Sequence, residues 1–208
     1  MVLQLDYQLF QLINGLAGTA SFLNPVMRFL AQDGEYMFYL GVIVYWFIRT
    51  ESNRRMIVQA VTAACLALGV SGLIGDLFYR DRPFVAHKVF QLIPHAANAS
   101  FPSDHAIGAF VIATTIWLFR KRDGRLWLVL AACVAVSRVW TGVHYPSDVV
   151  GGALIGIAVA AGVHQLFARS RFAQKGLYAG IGLYERLEHK IWPKRPETLT
   201  VTPPGVQK

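Results

Sequence analysis

Residues 149–168 read VVGGALIGIAVAAGVHQLFA, an apolar run whose one ionisable side chain is His164. At about 1.5 Å of helical rise per residue, such a run crosses a hydrocarbon layer of about 30 Å. Outward from it, residues 36–48, 56–74, 106–119 and 126–136 are also predominantly apolar. The 56–74 block nearly reaches spanning length; the others reach it only if their polar flanks lie inside a bundle. Of the 208 residues, 54% are hydrophobic and 15% charged, against about 25% charged in water-soluble domains. The expectation is an all-α fold: an integral membrane helical bundle of about 5–6 transmembrane helices.

Positive charge orders the spans. Arg49, Arg54 and Arg55 fall in one connection, Arg120, Lys121, Arg122 and Arg125 in another, and Arg169, Arg171 and Lys175 follow the last span. The positive-inside rule puts all three groups in the cytoplasm, so residues 80–102 and 140–147 are expected on the outer face of a multi-pass protein. Three regions follow: short N-terminal helices over 1–32, a transmembrane domain over 33–170, and a basic cytoplasmic tail over 171–208. In the first, Leu5, Leu9, Leu12, Ile13 and Leu16 share a helical face, which predicts an amphipathic helix lying along the membrane surface or half of a broken sixth span. No signal peptide is expected.

Residues 169–208 hold eight Lys or Arg against three Glu, a net of +5 within a chain of net +8. That tail favours anionic lipid. Nucleic acid is not an expected partner, since no folded basic domain is present. Residues 193–208, rich in proline, are expected to be disordered. Cys65 and Cys133 fall in apolar spans and are expected as buried free thiols. Tyr39, Trp46, Trp117, Trp127, Trp140 and Tyr145 lie near span ends, where interface anchoring is expected. No metal site or cofactor is expected.

Polar clusters interrupt the spans: Arg82-Pro83, then Phe101-Pro102-Ser103-Asp104-His105, then Ser137-Arg138 with His144 and Asp148. Ionisable residues at membrane depth are costly and by default mark a functional site. Ser103 stands where a helix N-cap is expected, with His105 in the first turn, and a helix N-terminus offers unpaired N–H groups to an anion. His144 and Asp148 are four apart. If a helix starts at Pro146-Ser147, the carboxylate can reach the imidazole and support it as a nucleophile. Arg82 and Arg138 supply guanidinium forks that match phosphoryl oxygens in pairs. The structural alternatives are simple capping by Ser103 and Asp148, and pairing of Arg138 with Asp76, Asp81 or Asp104.

The set Arg82-Pro83, Pro102-Ser103-x-His105 and Ser137-Arg138-x5-His144-x3-Asp148 resembles the three-part signature of the type 2 phosphatidic acid phosphatase (PAP2) superfamily. The wider run from Arg82 to His87, with Leu92-Ile93-Pro94-His95 and Ser100 to His105, is similar to BcrC-type undecaprenyl-diphosphatases. The resemblance implies a PAP2/chloroperoxidase-like core and metal-independent hydrolysis of undecaprenyl diphosphate through a phosphohistidine. It assigns His144 as nucleophile, Asp148 as its support and His105 as acid and then base. Arg82, Arg138 and Ser103 become phosphate holders. It further implies a bacterial plasma membrane, recycling of the cell-wall carrier lipid and bacitracin resistance.

Two departures stand out. The superfamily usually carries a lysine seven residues before the motif arginine, where this chain has Gly75, and Arg80 is the candidate replacement in the phosphate cradle. The usual glycine between the motif serine and histidine is Asp104, expected beside the phosphate, where it holds Arg80 or Arg138 or tunes the acid. Lys88 and His95 are expected in solvent, with contact to the distal phosphate the alternative; for His87 both remain open. The rival functions are the same chemistry on phosphatidylglycerol phosphate, phosphatidic acid or lipid A, and a transporter.

Overall fold

The computed structural model describes residues 2–192, so the disorder expected over 193–208 lies outside the described residues. Within them the order is α1 (Val2–Thr19), a 3-10 turn (Ser21–Leu23), α2 (Asn24–Gln32), α3 (Gly34–Phe47), α4 (Glu51–Leu77), α5 (Pro83–Ala86), α6 (Asp104–Phe119), α7 (Lys121–Trp140), α8 (Pro146–Arg169) and α9 (Arg171–Ile191). No strand occurs among the described residues. The fold is the expected all-α membrane bundle. Helices α4 and α8 are long and apolar enough to cross a membrane, and α6 is a shorter apolar helix.

The core forms where α6 meets α4, α7 and α8. Ala63, Ala67, Ile107, Val111 and Val163 pack one side, and Phe38, Met56, Ile112, Ile116 and Val134 the other. Gly152 and Gly156 permit a close approach of α8 to α6. A Cβ on Gly152 would lie 2.7 Å from the Ser103 carbonyl oxygen, and one on Gly156 2.8 Å from that of Ile107. Backbone therefore meets backbone where α8 crosses α6, as small-residue contacts in membranes allow. The outward faces stay apolar: Leu73 is 66% exposed, Val129 63% and Leu154 63%. So broad an apolar surface suits lipid.

Helix direction sorts the charges. The C-terminal ends of α4 and α7 and the N-terminal ends of α6 and α8 meet at one end of the bundle, where the polar motifs lie. The opposite end holds the basic groups, but not all as loop residues. Arg54 and Arg55 lie inside α4, which Thr50 caps by accepting from the Asn53 N–H at 3.2 Å. Arg54 is fully buried; its Nη1 donates to Glu185 at 2.6 Å and its Nη2 to Glu188. This pair straps α9 to α4, and Leu177 and Ile181 bury alongside.

The N-terminal helix is amphipathic as expected, and two other expectations change. On α1 the buried stripe is Asp6, Phe10, Asn14 and Ala17, while Leu5, Leu9, Leu12 and Leu16 are exposed. The polar stripe thus packs on α7 and α8, because a bilayer rewards the apolar face for looking outward. Cys65 and Cys133 are free but exposed, on outward helix faces. Trp140 and Tyr145 are buried at 4% exposure each. Trp140 donates its ring N–H to Asn24 at 2.8 Å, so neither residue sits on the outer surface of the bundle.

Gly152→Val forces two branched methyls against the Ser103 carbonyl and the Ala106 Cβ, the latter 3.1 Å from even the first added carbon. Overpacking of this kind costs about 1–3 kcal/mol or more. The expected outcome is a lowered unfolding midpoint in detergent, whereas Leu154→Val on the exposed face leaves it nearly unchanged.

Candidate active site

The second polar cluster opens α6. Ser103 is the N-cap residue, yet its hydroxyl makes no cap hydrogen bond. The Oγ is fully buried with no partner. Simple capping is therefore not what this serine does, and a buried unpartnered hydroxyl is costly unless something is to occupy its partner position. Its backbone N–H donates to the Asp148 carbonyl oxygen at 3.1 Å, which joins α6 to α8 at the site.

Arg138 stands in the last turn of α7, 2% exposed. Its Nη1 donates to the Ala31 carbonyl at the end of α2, 2.6 Å away. Nε and Nη2 are buried without partners. None of the three carboxylates proposed as structural partners, Asp76, Asp81 and Asp104, pairs with it. A buried guanidinium with unmet donors is strongly unfavourable unless an anion visits it.

Arg82 precedes α5 and is held on three sides, by Asn98 Oδ1, Val143 O and Ala99 O, each at 3.0 Å. Its Nη1 also lies 3.0 Å from His144 Nε2. A guanidinium has donors only, so Nε2 must be the accepting, unprotonated nitrogen, and the ring proton sits on Nδ1. Nδ1 faces Asp148 Oδ2 at 3.6 Å, just outside hydrogen-bonding distance. The geometry holds the tautomer whose Nε2 lone pair points into the site.

Asp148 is fully buried. Its Oδ2 accepts from Ser100 Oγ and from the Tyr145 N–H at 2.8 Å; its Oδ1 accepts from Arg80 Nη1 at 3.2 Å. Arg80 is thus placed behind the site and not in the phosphate cradle. Its Nη2 is taken by Asp6 at 2.7 Å, and its guanidinium lies 3.7 Å from the centre of the Tyr145 ring. Asp104 does not hold either of the arginines expected of it. It is exposed, accepts from Ser71 Oγ, and pairs with neither Arg80 nor Arg138.

His105 follows on α6, its Nε2 3.7 Å from Glu35 Oε2 of α3. A hollow of about 260 Å³ beside it is lined by Phe38, Tyr39, Leu68 and Gly108. A second hollow, of about 310 Å³, lies on the far side of Asp104 against Arg82, Asn98 and Gly75. His95 is half-buried, its ring 6.1 Å from that of His144, so it belongs to the site; Lys88 is exposed. His87 stacks on Tyr7 at 4.0 Å, away from the cluster.

Sequence reasoning passed over four residues here: Asp6, Ser100, Glu35 and Asn14. Asn14 bonds Phe90 O, Phe90 N and Trp140 O, and so ties the loop between α5 and α6 to the turn that carries His144. That turn needs Gly142, whose φ is +82° and whose Cβ would lie 2.7 Å from Phe90 O. Helical spacing of Asp6 and Asn14 with Phe10 was the available signal.

Burial lowers the Arg82 pKa, against the pull of Asp148 and Asp104, and lowers that of His95. For His144, burial, aided by Arg138 and Arg82 and opposed by Asp148, brings the pKa from 6.5 down to about 4. The neutral imidazole is the resident form at neutral pH.

A helical membrane bundle with imidazoles and guanidiniums gathered at one end is the class that fold and site define. Within that class the chain belongs to the PAP2 superfamily, which matches residues 56–172. It is similar to a Bacillus licheniformis protein named bacitracin transport permease protein BcrC, 42% identical over 92% of this chain and 93% of that one. It is also similar to the Bacillus subtilis undecaprenyl-diphosphatase BcrC, 33% identical over 74% and 80%. The crystal structure of Aquifex aeolicus LpxE superposes with a TM-score of 0.64 at 28% identity, covering 77% of this chain and 95% of the other.

The lowered His144 value sets a stability test. Between pH 6.5 and about 4 the unfolded chain binds the proton and the folded one does not, so this histidine's contribution is full above 6.5 and lost as pH falls through that window. The unfolding midpoint in detergent should fall across it, and fall less in His144→Gln.

Proposed function

We propose that this protein hydrolyses undecaprenyl diphosphate to undecaprenyl phosphate and phosphate. The observation that carries the reading is the pair of buried, unmet donor sets, on Ser103 and Arg138, next to an imidazole held with its Nε2 lone pair in the site. The name of the B. subtilis relative supports the substrate.

In the first step His144 Nε2 attacks the terminal phosphorus. The N–P bond forms as the bond to the bridging oxygen breaks, and undecaprenyl phosphate leaves. Asp148 supports the imidazolium through Nδ1. Arg82, Arg138, Ser103 Oγ and the first N–H groups of α6 hold the phosphoryl oxygens, where charge spreads in the transition state. His105 donates a proton to the leaving oxygen, then accepts one from the water that attacks the phosphohistidine. Inorganic phosphate leaves and His144 is regenerated.

The chemistry of the leaving group favours a diphosphate. A phosphate monoester leaves with a pKa near about 6 and needs little protonation, whereas an alkoxide needs a full proton. The prenyl chain enters by the hollow beside His105, where Tyr39 and Leu68 present apolar surface between α3, α4 and α6. Residues 33–170 form the phosphatase domain in this reading. The protein is multi-pass with its site outside, which the basic residues at the opposite end support. Lipid recycling and bacitracin resistance follow from removing the diphosphate lipid.

The competing reading is a transporter, the activity in the name of the B. licheniformis relative. Transport sites lie near mid-depth on interrupted helices; here the polar groups gather where helices begin and end. Phosphate release from undecaprenyl diphosphate in detergent with EDTA separates the two. Release is expected to persist with EDTA and to fall about a thousandfold or more in His144→Ala. No release by the wild type, or equal release by the variant, overturns the reading. On a panel with phosphatidic acid, phosphatidylglycerol phosphate and lipid A, His105→Ala should cost about tenfold on the diphosphate and about 10²–10⁴-fold on the monoesters. For the outer face, a cysteine at Ala97 in a background lacking Cys65 and Cys133 should react with an impermeant maleimide on intact cells. Protection there, with labelling only after lysis, reverses the topology.

A further inference from the structure

Asp6 lies on α1, outside the residues 56–172 that match the superfamily, and is only 7% exposed. Its Oδ1 accepts from the Ser147 N–H at 2.9 Å. Its Oδ2 accepts from Ser147 Oγ at 2.6 Å and from Arg80 Nη2 at 2.7 Å. Arg80 Nη1 reaches the other way, to Ser147 Oγ at 2.7 Å and Asp148 Oδ1 at 3.2 Å. Two carboxylates therefore share one guanidinium, fixed in place over the Tyr145 ring.

The charges decide what this arrangement does. Asp148 must lend negative charge to the imidazolium that forms at His144. Arg80 alone would neutralise it, leaving the pair at zero. With Asp6 the trio sums to −1. Around His144 the other groups are Arg82 from the segment before α5, Arg138 of α7, His95 of the outer loop and His105 of α6. Both guanidiniums disfavour the imidazolium, and Asp148 is the carboxylate that opposes them. We propose that Asp6 is a positioning residue of the hydrolysis: it draws Arg80 back so that Asp148 keeps its charge for His144, and the N-terminal helix thereby completes the active site.

This inference rests on the reading of His144 as nucleophile. The test is kcat and the pH profile of kcat/KM on undecaprenyl diphosphate for the full chain. Asp6→Asn keeps the shape but takes the trio to zero. Its kcat should fall about tenfold or more, and the acid limb should move down by about one pH unit. Asp6→Asn with Arg80→Gln returns the sum to −1, and kcat should recover to within about threefold of wild type with the limb restored. Arg80→Gln alone takes the sum to −2 and should move the limb upward, a readout that stands even if Asp6→Asn fails to fold. A purely structural Asp6 gives a double variant no better than the single, with no shift in the limb; that result, or wild-type kinetics in Asp6→Asn, overturns the inference. Loss of activity in His144→Ala alongside an unaffected Asp6→Asn sinks this inference alone. Activity that survives His144→Ala sinks the nucleophile reading beneath it.

Discussion

Asp148 has no exposed side-chain surface, and both of its oxygens are engaged. A carboxylate so placed stays ionised only while donors surround it, because a buried charge without partners is strongly unfavourable. Those donors come from Ser100 in the loop before α6, from Arg80 beyond α4 and from the Tyr145 backbone. Its own carbonyl oxygen accepts from Ser103 at the start of α6. The end of α4, the loop before α6 and the starts of α6 and α8 are thus pinned to one residue. The same group faces His144, so the contact that closes the fold at this end also sets the chemistry. Little in the site can shift without disturbing this carboxylate.

The spans and the motif residues were legible because each carries its own signal. An arginine inside an apolar run, or a histidine in the first turn of a helix, has no local structural use, and its type and spacing point to anion chemistry. The structure brings Arg82, Ser103, Arg138, His144 and Asp148 to one end as those signals implied. The place of Arg80, and the arginine partners expected for Asp104, were misread for a common reason. Both were read as neighbours of the motif in sequence, yet their partners, Asp6 and Ser71, lie 74 and 33 residues away. Sequence proximity does not say which of several nearby anions a guanidinium will meet.

The N-terminal helix was legible as amphipathic, but not for what its polar stripe meets. Its apolar face is the stronger pattern, and in water that face would be the buried one. Among lipids the preference inverts: Leu5 and Leu12 look outward while Asp6, Phe10 and Asn14 face protein. Reading the polar stripe as the packing stripe would have brought Asp6 and Asn14 into the site at once. Cys65 and Cys133 follow the same inversion, exposed on helix faces that a soluble fold would bury. Ser100 carried no such signal, since a serine in a loop is ordinary until the carboxylate it meets is known.

The glycine contact between α6 and α8 has a mechanical meaning. Because backbone rests on backbone at Gly152 and Gly156, the spacing between the helix that carries His105 and the helix that begins just after His144 is fixed by main-chain dimensions. Bilayers differ in thickness and lateral pressure, and helices at a bundle's edge tilt to follow them. This pair has no compressible side-chain layer between its members at those two crossings. The imidazoles of His105 and His144 are therefore mounted on a rigid gauge, insulated from the elasticity of the membrane around them.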